Sequence, residues 1–256
     1  MSADGKQVGR HIPESVRRQL RSEVGFGCPW DRCGVPYLEY HHFDPPFHEE
    51  AHHRPEGMIA LCPMHHARAD SLTVEQCRKL KSNRAHGVEG RFDWMRHEIV
   101  AIVGGNYYHE VPNVVVFNGV PVIYFSRDAE GHLLLSVRML TKSDEPRAWL
   151  DRNDWEILGN PIDVKCNTNG DRLKVEYANG DQFEIRFKEW KSPSELFKAH
   201  PSLLSIHADM KFPLVTASVS MNVADAAINL SEKRSVDGGV TITGSVISRS
   251  PNGFVF

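Results

Sequence analysis

The sequence predicts an α+β protein in two parts: a small cysteine- and histidine-rich domain of short strands and helices, then a β-rich domain built as an antiparallel sheet or sandwich. Three observations predict it. Residues 1–85 hold eight of the fourteen histidines together with Cys28, Cys33 and Cys62. The same stretch carries helix start and stop signals. From about residue 106 the pattern turns to short apolar runs alternating at period two around Asn-Gly turns. The expected boundaries are 1–88 for the first domain, a linking helix over 89–105, and 106–256 for the β-rich domain.

Taken in order, Pro13 suits the first turn of a helix whose apolar stripe is Val16, Leu20 and Val24, with Gly25 as the stop. Its polar side carries Arg17, Arg18 and Arg21, with Lys6 and Arg10 upstream. That side reads either as a solvated face or as a phosphate contact. In LTVEQCRKLK, Thr73 and Gln76 stand in capping-box spacing, and Leu72 with Cys77 in staple spacing, so Cys77 reads as packing. The apolar residues Trp94, Ile99, Ile102 and Val103, ending at Gly104-Gly105, predict the linking helix over 93–103. VVVFNGVPVIYF predicts a hairpin about Asn118-Gly119, and LLLSVRML a further strand after a turn over 128–131. RLKVEYANGDQFEIRF predicts a hairpin about Asn179-Gly180. A short helix over 193–200 and strands such as VTITGSVIS complete the pattern. Cys166 and the tryptophans Trp94, Trp149, Trp155 and Trp190 read as packing, and no Gly-rich phosphate loop opens a helix.

A net charge of −3 argues against a chain that coats nucleic acid, while leaving room for a local basic face. No apolar run reaches the roughly 18 residues that span a bilayer. The N-terminal MSADGKQVGRHIPES lacks the apolar core of a secretory signal. A cytoplasmic protein with no membrane partner is expected.

The chemistry is concentrated in CPWDRCGVPYLEYHHFDPP and RPEGMIALCPMHHARAD. Five cysteines do not suit a disulfide framework. Cys28 and Cys33 are separated by four residues, with Pro and Gly to turn the backbone, and Cys62 and His65 by two. Together they form a Cys₃His set of the kind that holds structural Zn²⁺ tetrahedrally. In a segment this small, the ion would supply much of the folding free energy. That leaves His41 and His42, adjacent on a strand and so on opposite faces, and His66 at the start of a helix. Phosphodiester hydrolysis needs a base, a divalent cation and ligands to hold it.

The segment resembles the HNH endonuclease family, whose ββα-metal pattern is a His pair on the first strand, a turn, and a helical His. The matching text is LEYHHFDPP, then PEGMIALC, then PMHH, over residues 10–85. The resemblance implies that His41 and His66 hold a catalytic cation, Mg²⁺ or another divalent ion, and that His42 is the general base. It implies a metal-dependent endonuclease acting on nucleic acid, double-stranded DNA foremost, in a setting such as bacterial defence or restriction. Two positions depart from the family. His65 stands where members usually carry a zinc-ligating Cys, and Gly57 where they often carry an Asn that braces the base-bearing strand. The alternative is a zinc-stabilised DNA-binding or interaction module without cleavage, which Gly57 favours.

Asp44, beside Pro45-Pro46, reads as loop-shaping ahead of cation binding. His48, His52 and His53 read as solvated. Arg54 and Arg68 flank the expected cleft and, with Arg17 and Arg21, are the candidate nucleic-acid contacts. The β-rich domain is open to a regulatory ligand, a partner or homo-oligomerisation.

Overall fold

A computed structural model describes residues 8–85, 87–226 and 229–256. Lys6 lies outside them. The chain is a mixed α+β protein, mostly β-sheet. It divides into two compact units, Met1–Val88 with Asp163–Asn169, and Glu89–Ile162 with Gly170–Phe256.

The first unit opens with α1 (Glu14–Glu23), entered through Pro13. Leu20 and Val24 are fully buried and Val16 packs beside them, so the expected stripe is the inward face. Gly25, at φ 72°, takes the left-handed conformation in which helices commonly stop. Strands β1 (Glu39–His42) and β2 (Met58–Leu61) pair antiparallel, with His41 opposite Ile59 and His42 opposite Met58. All four residues of β2 are buried, because α1 and a later helix, α3, pack against it. The one-turn α2 (Pro63–His66) follows directly, then α3 (Val74–Ser82). Its capping box is complete: Thr73 Oγ1 accepts from the Gln76 amide at 3.2 Å, and Gln76 Oε1 from the Thr73 amide at 2.8 Å. Cys77 is fully buried in the same core, with Leu72 packed against it.

The remaining strands are β3 (Glu89–Arg91), β4 (Ile99–Val103), β5 (Asn106–His109), β6 (Asn113–Phe117), β7 (Val120–Arg127), β8 (Leu133–Arg138), β9 (Trp149–Asp151) and β10 (Asp154–Glu156). There follow β11 (Pro161–Cys166), which straddles the division, β12 (Arg172–Tyr177), β13 (Gln182–Trp190), α4 (Pro193–Ala199) and β14 (Leu214–Asn222). The last are β15 (Asn229–Leu230), β16 (Ser235–Asp237), β17 (Val240–Ile242), β18 (Val246–Ser248) and β19 (Asn252–Val255).

In the second unit one sheet has the order β19-β6-β7-β8-β9-β10-β3. The other runs from β12 through β13 to β14, whose far edge pairs with β4 and, beyond it, with β15. The sheets meet through aromatic rings: Phe92 lies 5.1 Å from Phe187, and Tyr108 of β5 lies 5.9 Å, edge to face, from Phe254 of β19. The expected hairpin at Asn118-Gly119 is present, with φ of 48° and 77° as a primed turn requires.

Two expectations are corrected. The linking helix over 89–105 is absent: that segment holds β3 and β4. Ile99–Val103 is a continuous apolar run, β-branched everywhere but Ala101, and it is buried on both faces between β5 and β14. Such a run suits a central strand better than an amphipathic helix. The β-rich region is also not purely antiparallel, since β4 pairs with β14, β5 with β18 and β6 with β19 in parallel.

Candidate metal centre and cleft

Cys28 and Cys33 sit on a tight turn before β1, closed by the Cys33 amide donating to the Trp30 carbonyl at 2.9 Å and the Gly34 amide to the Cys28 carbonyl at 3.1 Å. Cys62 and His65 bracket the first turn of α2. The four ligand atoms lie within 4.8 Å of one another. His65 Nδ1 is 3.2 Å from Cys62 Sγ and 3.4 Å from Cys28 Sγ, and the sulfurs of Cys33 and Cys62 are 3.8 Å apart. A tetrahedral ion with Zn–S bonds of about 2.3 Å separates its sulfurs by roughly 3.8 Å, so donor set and spacing both fit zinc. Burial pushes the Cys28 thiol up to about 12 and raises Cys62 as well. Those two thiols are therefore poor anions by themselves, and a bound dication would supply the missing counter-charge. Trp30 stacks on the His65 ring at 4.4 Å and carries the Arg68 guanidinium 5.6 Å above its own ring, which holds the imidazole in place.

One residue beyond this cluster the chain turns to a different chemistry. His41, His42 and His66 all line a cleft of about 570 Å³, together with Arg10, Phe47 and Asp70. The His41 and His66 rings meet edge to face at 5.7 Å. Each turns Nδ1 toward a carboxylate, His66 to Glu39 at 3.3 Å and His41 to Asp70 at 3.9 Å. That is how metal-binding imidazoles are commonly oriented, with Nε2 left as the ligand atom. Burial, and then the neighbouring His66, lower the pKa of His41, against a smaller opposing pull from Asp70.

His42 lines the same cleft but meets other neighbours, Phe47, His52 and His53. Its Nε2 lies 2.9 Å from the carbonyl oxygen of His52. A carbonyl only accepts, so Nε2 carries the hydrogen and Nδ1 keeps its lone pair. Burial and the surrounding histidines lower the pKa of His42 to about 4.

Gly57 explains why no side chain braces this strand from the turn. A Cβ there would lie 2.0 Å from the Asp44 carbonyl oxygen and 3.0 Å from His52 Cε1. The space is taken by the His52 ring, whose Nε2 donates to the Pro45 carbonyl at 2.8 Å and whose Nδ1 accepts from the Arg54 amide at 3.1 Å. His52 is thus 4% exposed, not solvated as its polar surroundings imply. It is the residue sequence reasoning missed, because both its partners are backbone groups. Arg10 was also underrated. It lines the cleft and makes no ion pair among the described residues.

The other candidates separate cleanly. Asp44 pairs with Arg78 at 2.5 Å, which matches loop-shaping. His48 is exposed at the cleft rim, and His53 Nε2 meets the Gly9 carbonyl at 2.9 Å. Arg54 is exposed and paired with Glu50, Arg17 is paired with Glu14, and Arg68 rests over Trp30. Arg21 is corrected: its side chain is 3% exposed and meets Asp163 through two hydrogen bonds, of 2.9 and 2.7 Å, besides Tyr40 and Glu14. A guanidinium so enclosed cannot reach a phosphate. Its partner stands 142 positions away in sequence, which is why the helix pattern alone left it on the polar face. Among the described residues no helix is long and apolar enough to cross a membrane. Comparison of the chain with protein-family models, with curated proteins and with solved structures gives no match.

Proposed function

We propose that the first unit is a zinc-stabilised, cation-dependent endonuclease of the HNH type, hydrolysing phosphodiester bonds of nucleic acid, with double-stranded DNA the expected substrate. The observation that carries the reading is the convergence of His41, His42 and His66 on one cleft, one residue along the chain from a Cys₃His cluster of zinc geometry. His42 Nδ1 takes a proton from the attacking water, and the His52 carbonyl holds the ring in the tautomer that leaves that nitrogen free. Glu39 orients His66, which together with His41 would hold a divalent cation such as Mg²⁺. When bound, that cation supplies Lewis-acid stabilisation of the charge that builds on the phosphate and leaving oxygen. Arg10 offers a guanidinium to a phosphate entering the cleft. Contacts of this kind grip the backbone and read little sequence.

The test is a plasmid-nicking assay on zinc-loaded protein, with and without added Mg²⁺ or Mn²⁺, for the natural chain and for His42→Ala. Metal-dependent nicking that His42→Ala abolishes, at unchanged zinc content, supports the reading. Zinc-loaded natural protein that shifts DNA in a gel but never cuts it makes this unit a binding module instead.

A further inference from the structure

A second cleft, of about 700 Å³, opens wholly within the second unit, lined from β4 and β5 on one side and from β7 and β8 on the other. That size falls in the range of small-ligand sites, roughly 300–1,000 Å³. Two of its lining residues, Tyr108 and Ser126, carry buried hydroxyls that have no hydrogen-bond partner among the described residues. Tyr108 is 1% exposed. Buried polar atoms are nearly always paired, so two orphans beside one cavity mark where a ligand's polar atoms complete them.

The charges around the cleft are unequal. Of its carboxylates, Glu110 is paired with Arg249 at 2.8 Å, while Glu98 is hydrogen-bonded to the His109 imidazole at 3.1 Å and keeps its own charge. Arg96 is neutralised by Glu189. Arg127 donates to the carbonyls of His97 and Gly131 and makes no ion pair among the described residues. Lys211 has no hydrogen bond or ion pair among the described residues. Between the cations and the hydroxyls lie the apolar walls of Ile99, Phe125 and Leu133.

We propose that this cleft binds a nucleotide: a flat heteroaromatic ring against Ile99, Phe125 and Leu133, its polar edge on the Tyr108 and Ser126 hydroxyls, and its phosphate facing Lys211 and Arg127. A hydroxyl both donates and accepts, which suits the mixed donor and acceptor edge of a base. Apolar walls suit its faces, and two cations without an ion pair among the described residues suit a phosphate. None of these residues belongs to the first unit, so the inference stands apart from the nuclease reading.

The test is calorimetric titration of the full-length protein, without added divalent cation, with each nucleoside monophosphate and separately with a short single-stranded oligonucleotide. Saturable binding of at least one of these is expected, weakened about tenfold by Tyr108→Phe and by Lys211→Ala. Removing an unpaired hydroxyl should leave the melting temperature of the free Tyr108→Phe protein equal to or above that of the natural chain. A packing role for that hydroxyl would instead lower the melting temperature and leave binding alone. Binding of the monophosphate identifies a free nucleotide as the source, and binding of the oligonucleotide alone identifies a nucleotide within a strand. No binding of either at millimolar concentration, or binding that both substitutions leave unchanged, overturns the proposal.

Discussion

The imidazole of His42 hangs from the main chain of His52: its Nε2 hydrogen is donated across 2.9 Å to that residue's carbonyl oxygen. A backbone acceptor cannot rotate away or ionise. The base nitrogen therefore stays available over a wide pH range, and the next expectations rest on that.

Cleavage should depend on His42 and be insensitive to mild acid. General-base catalysis typically contributes about 10²–10⁴-fold, so His42→Ala should lower the nicking rate by about that factor while zinc content stays constant. With its pKa held at about 4, His42 is already neutral at pH 6. The natural chain should thus show no base-limited fall in rate between pH 8 and pH 6. A rate that drops tenfold per unit across that interval would remove His42 from the role.

The same depressed pKa makes a stability statement. The folded state binds fewer protons at His42 than the unfolded chain, whose histidines titrate near roughly 6.5. The contribution is present in full above that value and is lost as pH falls from there through about 4. Melting temperature followed from pH 7 to pH 4 should fall less steeply for His42→Gln than for the natural chain.

Placing at position 57 the Asn that the HNH resemblance implies should do harm. Gly57→Asn places a Cβ 2.0 Å from the Asp44 carbonyl oxygen and crowds the buried His52 ring. Overpacking of this kind costs about 1–3 kcal/mol, and the His42 brace would be disturbed with it. Chemical denaturation should report the loss. A variant as stable as the natural chain would mean that the turn has room the geometry denies.

Four of the five cysteines should fall into two classes. Cys28→Ala, Cys33→Ala or Cys62→Ala should each release the metal and unfold the first unit, read by elemental analysis and by loss of cooperative melting. Cys77→Ala should keep about one zinc per chain and lose about 1 kcal/mol of packing. Zinc lost from Cys77→Ala, or kept by Cys33→Ala, would contradict the assignment.

How much of this was legible depended on distance along the chain. The α1 stripe, the Thr73–Gln76 box and the Asn-Gly hairpins are written in neighbouring residues, and each stands where it was expected. The grouping of Cys28, Cys33, Cys62 and His65 was legible because zinc demands particular donors at particular spacing. His52, Arg21 and β4 were not. The His52 ring is satisfied by backbone groups that no motif marks. Arg21 is decided by Asp163, far along the chain. Ile99–Val103 was ambiguous because a short apolar run fits a buried strand as well as a helix, and only the partners β5 and β14 settle it.

The return of Asp163–Asn169 to the first unit bears on any attempt to dissect the gene. A fragment stopping near codon 88 or 106 keeps every histidine and thiol of the proposed nuclease centre yet strands the Arg21 guanidinium with no carboxylate from Asp163 in its interior. Losing one partner of an enclosed ion pair typically costs about 3–5 kcal/mol, enough to turn a truncated polypeptide into an insoluble one. Silence from such a fragment would therefore report a missing counter-ion, and a minimal version of this lobe has to splice 163–169 back onto it.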